Sequence, residues 1–405
     1  MLQLVVVSLD HQAAFKLTPI IVQREDIRVP KSISVHDLHD RMSSPEGAFV
    51  LDVRASGAYQ EWRIQDKGVT SVNIQNSKLK EHGPEAYPEL PKDKEIVAVC
   101  AKGIAAQETV DILSSKGYKV SFLEGGMQSW SEFYYPVQVS QSDDLELLQV
   151  LRPAKGCLSY FLASKGEGIV VDASRHIDEY LKIAKEQGIQ IRHVLDTHLH
   201  ADHISGGEAL AKAAGAKYWI GEGEMQGSTT RDYNALRDGL KLEFGSSTLE
   251  VLAIPTPGHT PGSTSFLVNN QFLISGDTVF VNGLGRPDLG GKAREWAKML
   301  YETVVSKLNK LSDDIIVLPA HYSDFREITN AGYVGAVLGD LRQSNELLQG
   351  GDEDVFTESV AGRAGATPPN YETIVNINRG TVQVSAQEAS DLEVGPNRCA
   401  VKHQA

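Results

Sequence analysis

Short apolar runs alternate with amphipathic stretches along most of the chain, and the character of that alternation divides it in two. Between residues 32 and 138, "GAFVLDVR", "EIVAVC" and "KVSFLEGG" read as buried strands, while "AAQETVDILSSKG" reads as a helix that stops at Gly117. Strand and helix signals taking turns in this way predict a small open α/β sheet. Around "SEFYYPVQVSQSDDLELLQVLRP" the pattern gives way to a polar connection and a fresh start, which sets a boundary near residue 140. The second region, residues 145–405, opens with two strand-like runs in "CLSYFLASKGEGIVVDASR", passes a helix in "HIDEYLKIAKEQG" and reaches the strand "IRHVLDT". Further on, "TLEVLAIPTPGHT", "STSFLVNNQFLISGDTVF" and "DIIVLPAHYSD" are apolar strands that end in His or Asp. The tail from about residue 340 predicts a helix over "LGDLRQSNELLQGG" and an extended, proline-led segment over "PPNYETIVNINRG". Residues 1–31 form an N-terminal extension with the strand-like runs "LQLVVV" and "PIIVQ".

Length and charge narrow the classes of function. A chain of 405 residues exceeds what one hydrophobic core usually serves, so two domains are expected. With 39 basic and 53 acidic side chains the net charge is −14, which repels nucleic acid and anionic membrane alike; neither is expected as a partner. No apolar segment approaches the ~20 residues of a membrane span and the first residues lack a basic region, so the expected compartment is the cytoplasm. The three cysteines, Cys100, Cys157 and Cys399, are too widely spaced for a disulfide framework. Cys157 lies within a strand-like run and reads as core, whereas Cys399 lies in a polar tail.

The densest chemistry is "DTHLHADHISGG", Asp196 to Gly207. His198, His200, Asp202 and His203 from this loop, with His259, Asp277 and His321 at later strand ends, make up a set of metal ligands or their polar neighbours. One loop with this spacing serves two adjacent cation sites, so the motif alone does not count the ions. A closed structural zinc site needs four donors and no surplus, which makes a purely structural metal the weakest reading.

In order, "HLHADH", the His of "TPGHTPGS", the Asp of "SGDTVF" and the His of "LPAHY" resemble the signature of the metallo-β-lactamase fold, over roughly residues 150 to 330. The resemblance implies a four-layer αβ/βα sandwich. Within that superfamily "THLHADHISGG", "PTPGHTPGSTSF" and "GDTVFVNGLGRPDL" look most like persulfide dioxygenases and next most like glyoxalase II. The first likeness implies one Fe(II) per chain held by His198, His259 and Asp277, with His200, Asp202, His203 and His321 orienting ligands or water. The second implies two Zn(II), the latter residues holding the second ion of a thioester hydrolase. Arg286 in "GLGRPDL" is expected to contact an anionic thiol substrate.

"LDVRASGAY", "IVAVCAKGIAAQETV" and "FLEGGMQSW" resemble a rhodanese domain, which implies an α/β fold with Cys100 as the sulfur-carrying nucleophile. A strand-end cysteine followed by a loop and a helix near Ala106 sits where backbone N–H groups stabilise a thiolate. Rhodanese loops commonly carry an arginine five residues after the cysteine; Ala105 stands there, which argues against efficient thiosulfate binding. Together the resemblances imply oxidation of a low-molecular-weight thiol persulfide by O2 to sulfite and thiol, coupled to sulfur transfer with thiosulfate or sulfite. A homo-oligomer is expected. The competing expectation is a dinuclear zinc hydrolase with a structural rhodanese domain.

Overall fold

The computed structural model describes residues 31–228, 232–246, 251–288, 291–362 and 370–396. The strand-like runs expected before residue 31 and the tail around Cys399 lie outside the described residues, as do Pro368 and Pro369.

Ile96–Val99 is buried at every position, as a strand covered on both faces must be. It is the middle of a five-stranded parallel sheet with Ser32–Ile33, Val120–Leu123, Ala48–Asp52 and Val69–Asn73. Alternate side chains feed separate cores. Ile96, Ala98 and Cys100 pack with Val110 and Leu113 of the helix Ile104–Ser115, while Val97 and Val99 pack with Leu38, Met127 and Trp130 on the other face.

The second region holds two large sheets, of seven and six strands, and a two-stranded one, Val279–Phe280 with Gly283–Leu284. The facing sides of the large sheets form one core, in which Leu147, Leu162 and Ile169 meet Phe266, Phe272 and Ile274. The outer face of the seven-stranded sheet (Leu148, Phe161, Val170) is covered by the helices Ile177–Gln187 and Gly207–Ala214. The outer face of the six-stranded sheet (Leu267, Leu273, Val317) is covered by Ala293–Ser306 and Glu353–Ala361. The result is helix, sheet, sheet, helix: a four-layer sandwich behind a separate α/β sheet.

Two local readings need correction. Tyr135–Gln141, inside the stretch read as a polar connection, is an edge strand paired antiparallel with Glu146–Arg152, so the second region's sheet starts before residue 138. Its alternate residues are exposed, and an edge strand with one wet face looks like a linker. The tail segment "YETIVNIN" is a helix, Tyr371–Asn378, not an extended segment. The prolines ahead of it suggested extended backbone, but Ile374 and Ile377 lie on one helix face and bury together against Ile204 and Ala389.

Candidate metal centre and cysteine loop

The opening motif leaves the strand Gln190–Leu195 at its C-terminal end and runs as a buried loop from Asp196 to Ile204. Glu224, itself buried, braces this loop against the one bearing His259: it accepts from Leu199 N at 3.2 Å, Gly262 N at 2.7 Å and Thr260 Oγ1 at 2.5 Å. Asp277 follows the strand Phe272–Gly276, and His321 follows Ile316–Pro319, its parallel neighbour. Strands adjacent in the sheets but distant in sequence thus end at one place.

The structure sorts the clustered residues into three groups, within each of which the candidate ligand atoms lie no more than 4.8 Å apart. The first is His198, His259 and Asp277. Thr197 Oγ1 sits 2.9 and 3.0 Å from the two oxygens of Asp172 and 2.9 Å from His198 Nδ1. The hydroxyl has one proton and gives it to the carboxylate, so His198 Nδ1–H donates to Thr197 and the Nε2 lone pair is left over. His259 Nδ1 is 2.9 Å from the carbonyl oxygen of Arg286, which only accepts, so the same tautomer holds there. Both Nε2 atoms face Asp277 Oδ2, at 3.8 and 3.4 Å. That oxygen is buried and has no hydrogen-bond partner. Ligand bonds of about 2.0–2.2 Å meeting near right angles separate donors by about 3 Å, so these three fit a single cation with slight closure. Burial holds the His198 imidazole well below its usual range, and the neighbouring His200 adds to this, which keeps the ring neutral as a ligand must be.

The second group is Cys157, Asp202, His203 and His321. Both nitrogens of His321 are engaged by carboxylates: Nδ1 with Asp277 Oδ1 at 2.6 Å and Nε2 with Asp202 Oδ2 at 2.8 Å. Burial alone would hold His321 neutral, but the two anions raise it well above its usual range. Burial likewise opposes protonation of His203, yet Asp202 at 3.1 Å lifts it to about 10. Cys157 is buried, as expected of a core residue, but its Sγ lies 3.2 Å from Asp202 Oδ2, and the strand bearing it forms a bridge to His321. It therefore belongs to this polar group, which a reading of its apolar run did not reveal.

The third group turns His200 away from the first: its Nε2 lies 3.1 Å from Asp172 Oδ1, beside Asp196. Asp172 and Asp196 were not singled out from the sequence, although "IVVDAS" ends in an acid after an apolar run, as the ligand-bearing strands do. Two further contributors come from the tail. Asn378 donates to the carbonyls of His200 and His203 at 2.8 and 2.9 Å and accepts from Ser205 N at 2.9 Å. Glu393 accepts from Ile204 N at 2.7 Å. No local motif marks either residue; the tertiary fold alone brings them to the loop.

Arg286 is buried. It is 4% exposed and forks onto Asp288 at 2.8 and 2.6 Å, while its carbonyl holds His259. Its printed contacts are with Asp288 and, through its carbonyl, with the candidate ligand His259.

Cys100 ends its strand, and Gly103, at φ 89°, starts the helix two residues before Ala105, earlier than the sequence suggests. The "EGG" turn locks the loop from below: Met127 N donates to Cys100 O at 2.8 Å and Gln128 N to Ala101 O at 3.1 Å. A Cβ on Gly126 would meet the Cys100 carbonyl at 2.1 Å, so only glycine allows that approach. The thiol is buried in the rhodanese-side core.

Comparison with known proteins agrees with this architecture. The profile of the metallo-beta-lactamase superfamily matches residues 152–321, and that of the rhodanese-like domain matches residues 34–133. The chain belongs to the metallo-β-lactamase superfamily and carries a rhodanese-like domain ahead of that fold. The mitochondrial persulfide dioxygenase ETHE1 of Homo sapiens is 30% identical over 180 residues, 43% of this chain and 67% of that protein. A hydroxyacylglutathione hydrolase of Polaromonas is 34% identical over 158 residues, 38% of this chain and 57% of that enzyme. Among solved structures, a metallo-beta-lactamase from Staphylococcus aureus superposes with a TM-score of 0.54 at 24% identity, covering 60% of this chain and 74% of its own, a likeness of fold. Among the described residues no helix is long and apolar enough to cross a membrane.

Proposed function

We propose that the protein is an iron-dependent persulfide dioxygenase whose rhodanese-like domain handles the same sulfur. The observation that carries this reading is the buried, unpartnered Asp277 Oδ2 faced by two Nε2 lone pairs whose tautomers are fixed from behind. Two histidines and one carboxylate on one face are the donor set of non-haem iron oxygenases. Bound there, iron(II) would supply a redox centre able to take O2 and a sulfane sulfur side by side. The chain's own residues do the rest. Thr197 and the Arg286 carbonyl aim the imidazoles, His321 holds the other oxygen of Asp277, and Asn378 and Glu393 fix the loop. The likeness to the Homo sapiens persulfide dioxygenase supports the substrate class.

A dinuclear zinc hydrolase is the second reading, favoured by the proximity of Asp202, His203, His321 and Cys157. It requires His321 to give up its hydrogen bond to Asp202, since an imidazole binds a metal through one nitrogen, while the bond to Asp277 can stay. Oxygen-electrode assays separate the readings: O2 uptake should depend on an added thiol persulfide and release sulfite, while lactoylglutathione should turn over poorly. Efficient thioester hydrolysis without O2 uptake would reject the dioxygenase.

For the first domain we infer a sulfur-carrying role for Cys100. Backbone bonds fix the loop at Cys100 and Ala101, and the helix Ile104–Ser115 starts four residues after the cysteine, which supports this reading because a helix N-terminus favours a thiolate. After incubation with an organic persulfide, mass spectrometry should find one added sulfur atom on Cys100 and none in the Cys100→Ser variant. Thiosulfate should be the poorer donor, because Ala105 supplies no guanidinium. An adduct confined to Cys157 or Cys399 would remove Cys100 from the account.

A further inference from the structure

The two domains leave a hollow of about 200 Å3 between them, lined by Trp62, Arg63 and Trp130 on one side and by Lys155, Gly156 and Tyr322 on the other. Two bonds across the seam frame it. Trp62 Nε1 donates to the Ala154 carbonyl at 2.7 Å, and Lys67 Nζ to the Ile328 carbonyl at 3.0 Å. The wall from the second domain is fixed from within: Tyr322 N donates to Gly156 O at 3.0 Å, and a Cβ on Gly156 would meet the Tyr322 carbonyl at 2.3 Å. One residue beyond this wall lies the bridge between Cys157 and His321.

Three buried donors line the hollow without the partner that burial calls for. Lys155 is 8% exposed, yet among the described residues no carboxylate pairs with its ammonium, which bonds the Glu393 carbonyl at 3.2 Å. A lysine is almost never buried unless paired, because leaving water strips its charge of solvation. Trp130 is 1% exposed and Tyr322 is 7% exposed, and neither the indole N–H nor the phenol hydroxyl bonds any described residue. Buried Trp and Tyr usually find a partner for those groups. Neither atom is sealed off in the interior, so each reaches open space, and the hollow is the open space that both residues line. Of the acids at the hollow, Asp324 is forked by Arg326 at 2.9 and 2.6 Å, and Asp66 stands against two cations, Arg63 and Lys155. Positive charge and hydrogen-bond donors are left over together.

We propose that this hollow binds a small oxyanion, held by the Lys155 ammonium, the Trp130 N–H and the Tyr322 hydroxyl. Such an ion accepts several donors on separate oxygens, and its charge offsets the solvation that Lys155 loses on burial. Sulfite and thiosulfate have this chemistry, and so do sulfate and phosphate. Because the walls come from both domains, the bound ion ties one to the other, at a point one residue from His321. The site stands apart from the metal centre and does not depend on which reaction that centre performs.

The test is calorimetric titration of the full-length protein with sulfite, thiosulfate, sulfate and phosphate, at an ionic strength held constant with chloride. A Cys100→Ser sample run alongside excludes reaction at that thiol. At least one of the four ions should bind at one per chain and change the fluorescence of Trp62 and Trp130. Lys155→Met, which removes the charge and keeps the length, should weaken binding by about 10- to 100-fold, and Tyr322→Phe by about 10-fold, the usual losses for a hydrogen bond to a charged group. Without the ion, Lys155→Met should melt no lower than the native protein, since it no longer buries an unpaired charge; saturating ion should raise the native midpoint and leave that of the variant unchanged. Metal-stripped protein should bind the ion as before. Binding lost with the metal would move the ion to the metal centre and overturn the proposal, as would native protein that binds none of the four, or two variants that bind as the native protein does. A preference for sulfite or thiosulfate would tie the site to sulfur chemistry, and a preference for sulfate or phosphate to ions of the medium; either upholds it.

Discussion

Asp277→Asn protein, purified without added metal, should contain almost no iron, whereas the native protein should carry close to one iron per chain. The substitution keeps the size of the side chain and removes its charge. It thereby takes away the one anionic donor of the His198, His259 and Asp277 group, whose Oδ2 has no other partner. Loss of a mere supporting hydrogen bond to a metal ligand costs about 10- to 100-fold in affinity, and loss of the ligand itself costs more. His259→Ala should behave alike. His321→Ala is the discriminating control, because both of its nitrogens already bind carboxylates and it is not needed to hold one ion. That variant keeps all three ligands and loses only a supporting bond to Asp277, so its iron affinity should fall by no more than about 10- to 100-fold and one iron should still bind when iron is supplied, where Asp277→Asn takes up none. Elemental analysis giving two zinc ions per native chain, one of them lost in His321→Ala, would sink the iron reading and promote the hydrolase.

Glu393→Ala should destabilise the protein by about 3–5 kcal/mol, the usual cost of leaving a buried charge without its partner. The charge left behind is Arg152, which is 0% exposed and bonds Glu393 at 3.3 Å. Arg175 at 2.8 Å and the Ile204 N–H at 2.7 Å lose the same acceptor. Glu393→Gln, which keeps an oxygen for Ile204, should lose less. Burial raises the carboxyl, but Arg152 and Arg175 outweigh it and hold Glu393 at about 2, against its ordinary 4.5. A depressed acid contributes stability that is complete above the ordinary value and disappears as the pH falls through the depressed one. About 3 kcal/mol should therefore be lost between about pH 5 and pH 2 in the native protein, and much less in Glu393→Ala. Urea unfolding midpoints across that range provide the measurement. A native-to-alanine difference below about 1 kcal/mol at neutral pH would mean that Arg152 finds another counter-charge.

Elements buried on both faces were the most legible. Ile96–Val99 is an unbroken apolar run that starts after Glu95, and Phe272–Ile274 one that starts after Gln271; both read as buried strand. Segments with one wet face misled. Tyr135–Gln141 passed for a linker, and Tyr371–Asn378 passed for an extended segment led by its prolines, because residue type was read where packing decides. Arg286 shows the same gap at the level of a side chain. Sequence located it beside a ligand, but only the fold placed Asp288 across its guanidinium and its carbonyl behind His259.

Sequence by itself determined the two-part α/β organisation and the cast of candidate metal ligands, because strand burial and His–Asp spacing are local properties of the chain. Tertiary structure decided how that cast divides. Three groups form where strands remote in sequence end together, and the hydrogen bond behind each imidazole selects the lone pair that faces forward. It also decided that Cys157 sits beside Asp202 and that Asn378 and Glu393 hold the metal loop from the tail. Those relations join residues from 45 positions apart, Cys157 and Asp202, to 189 apart, Ile204 and Glu393, and contacts at such separations leave no periodic trace in the sequence.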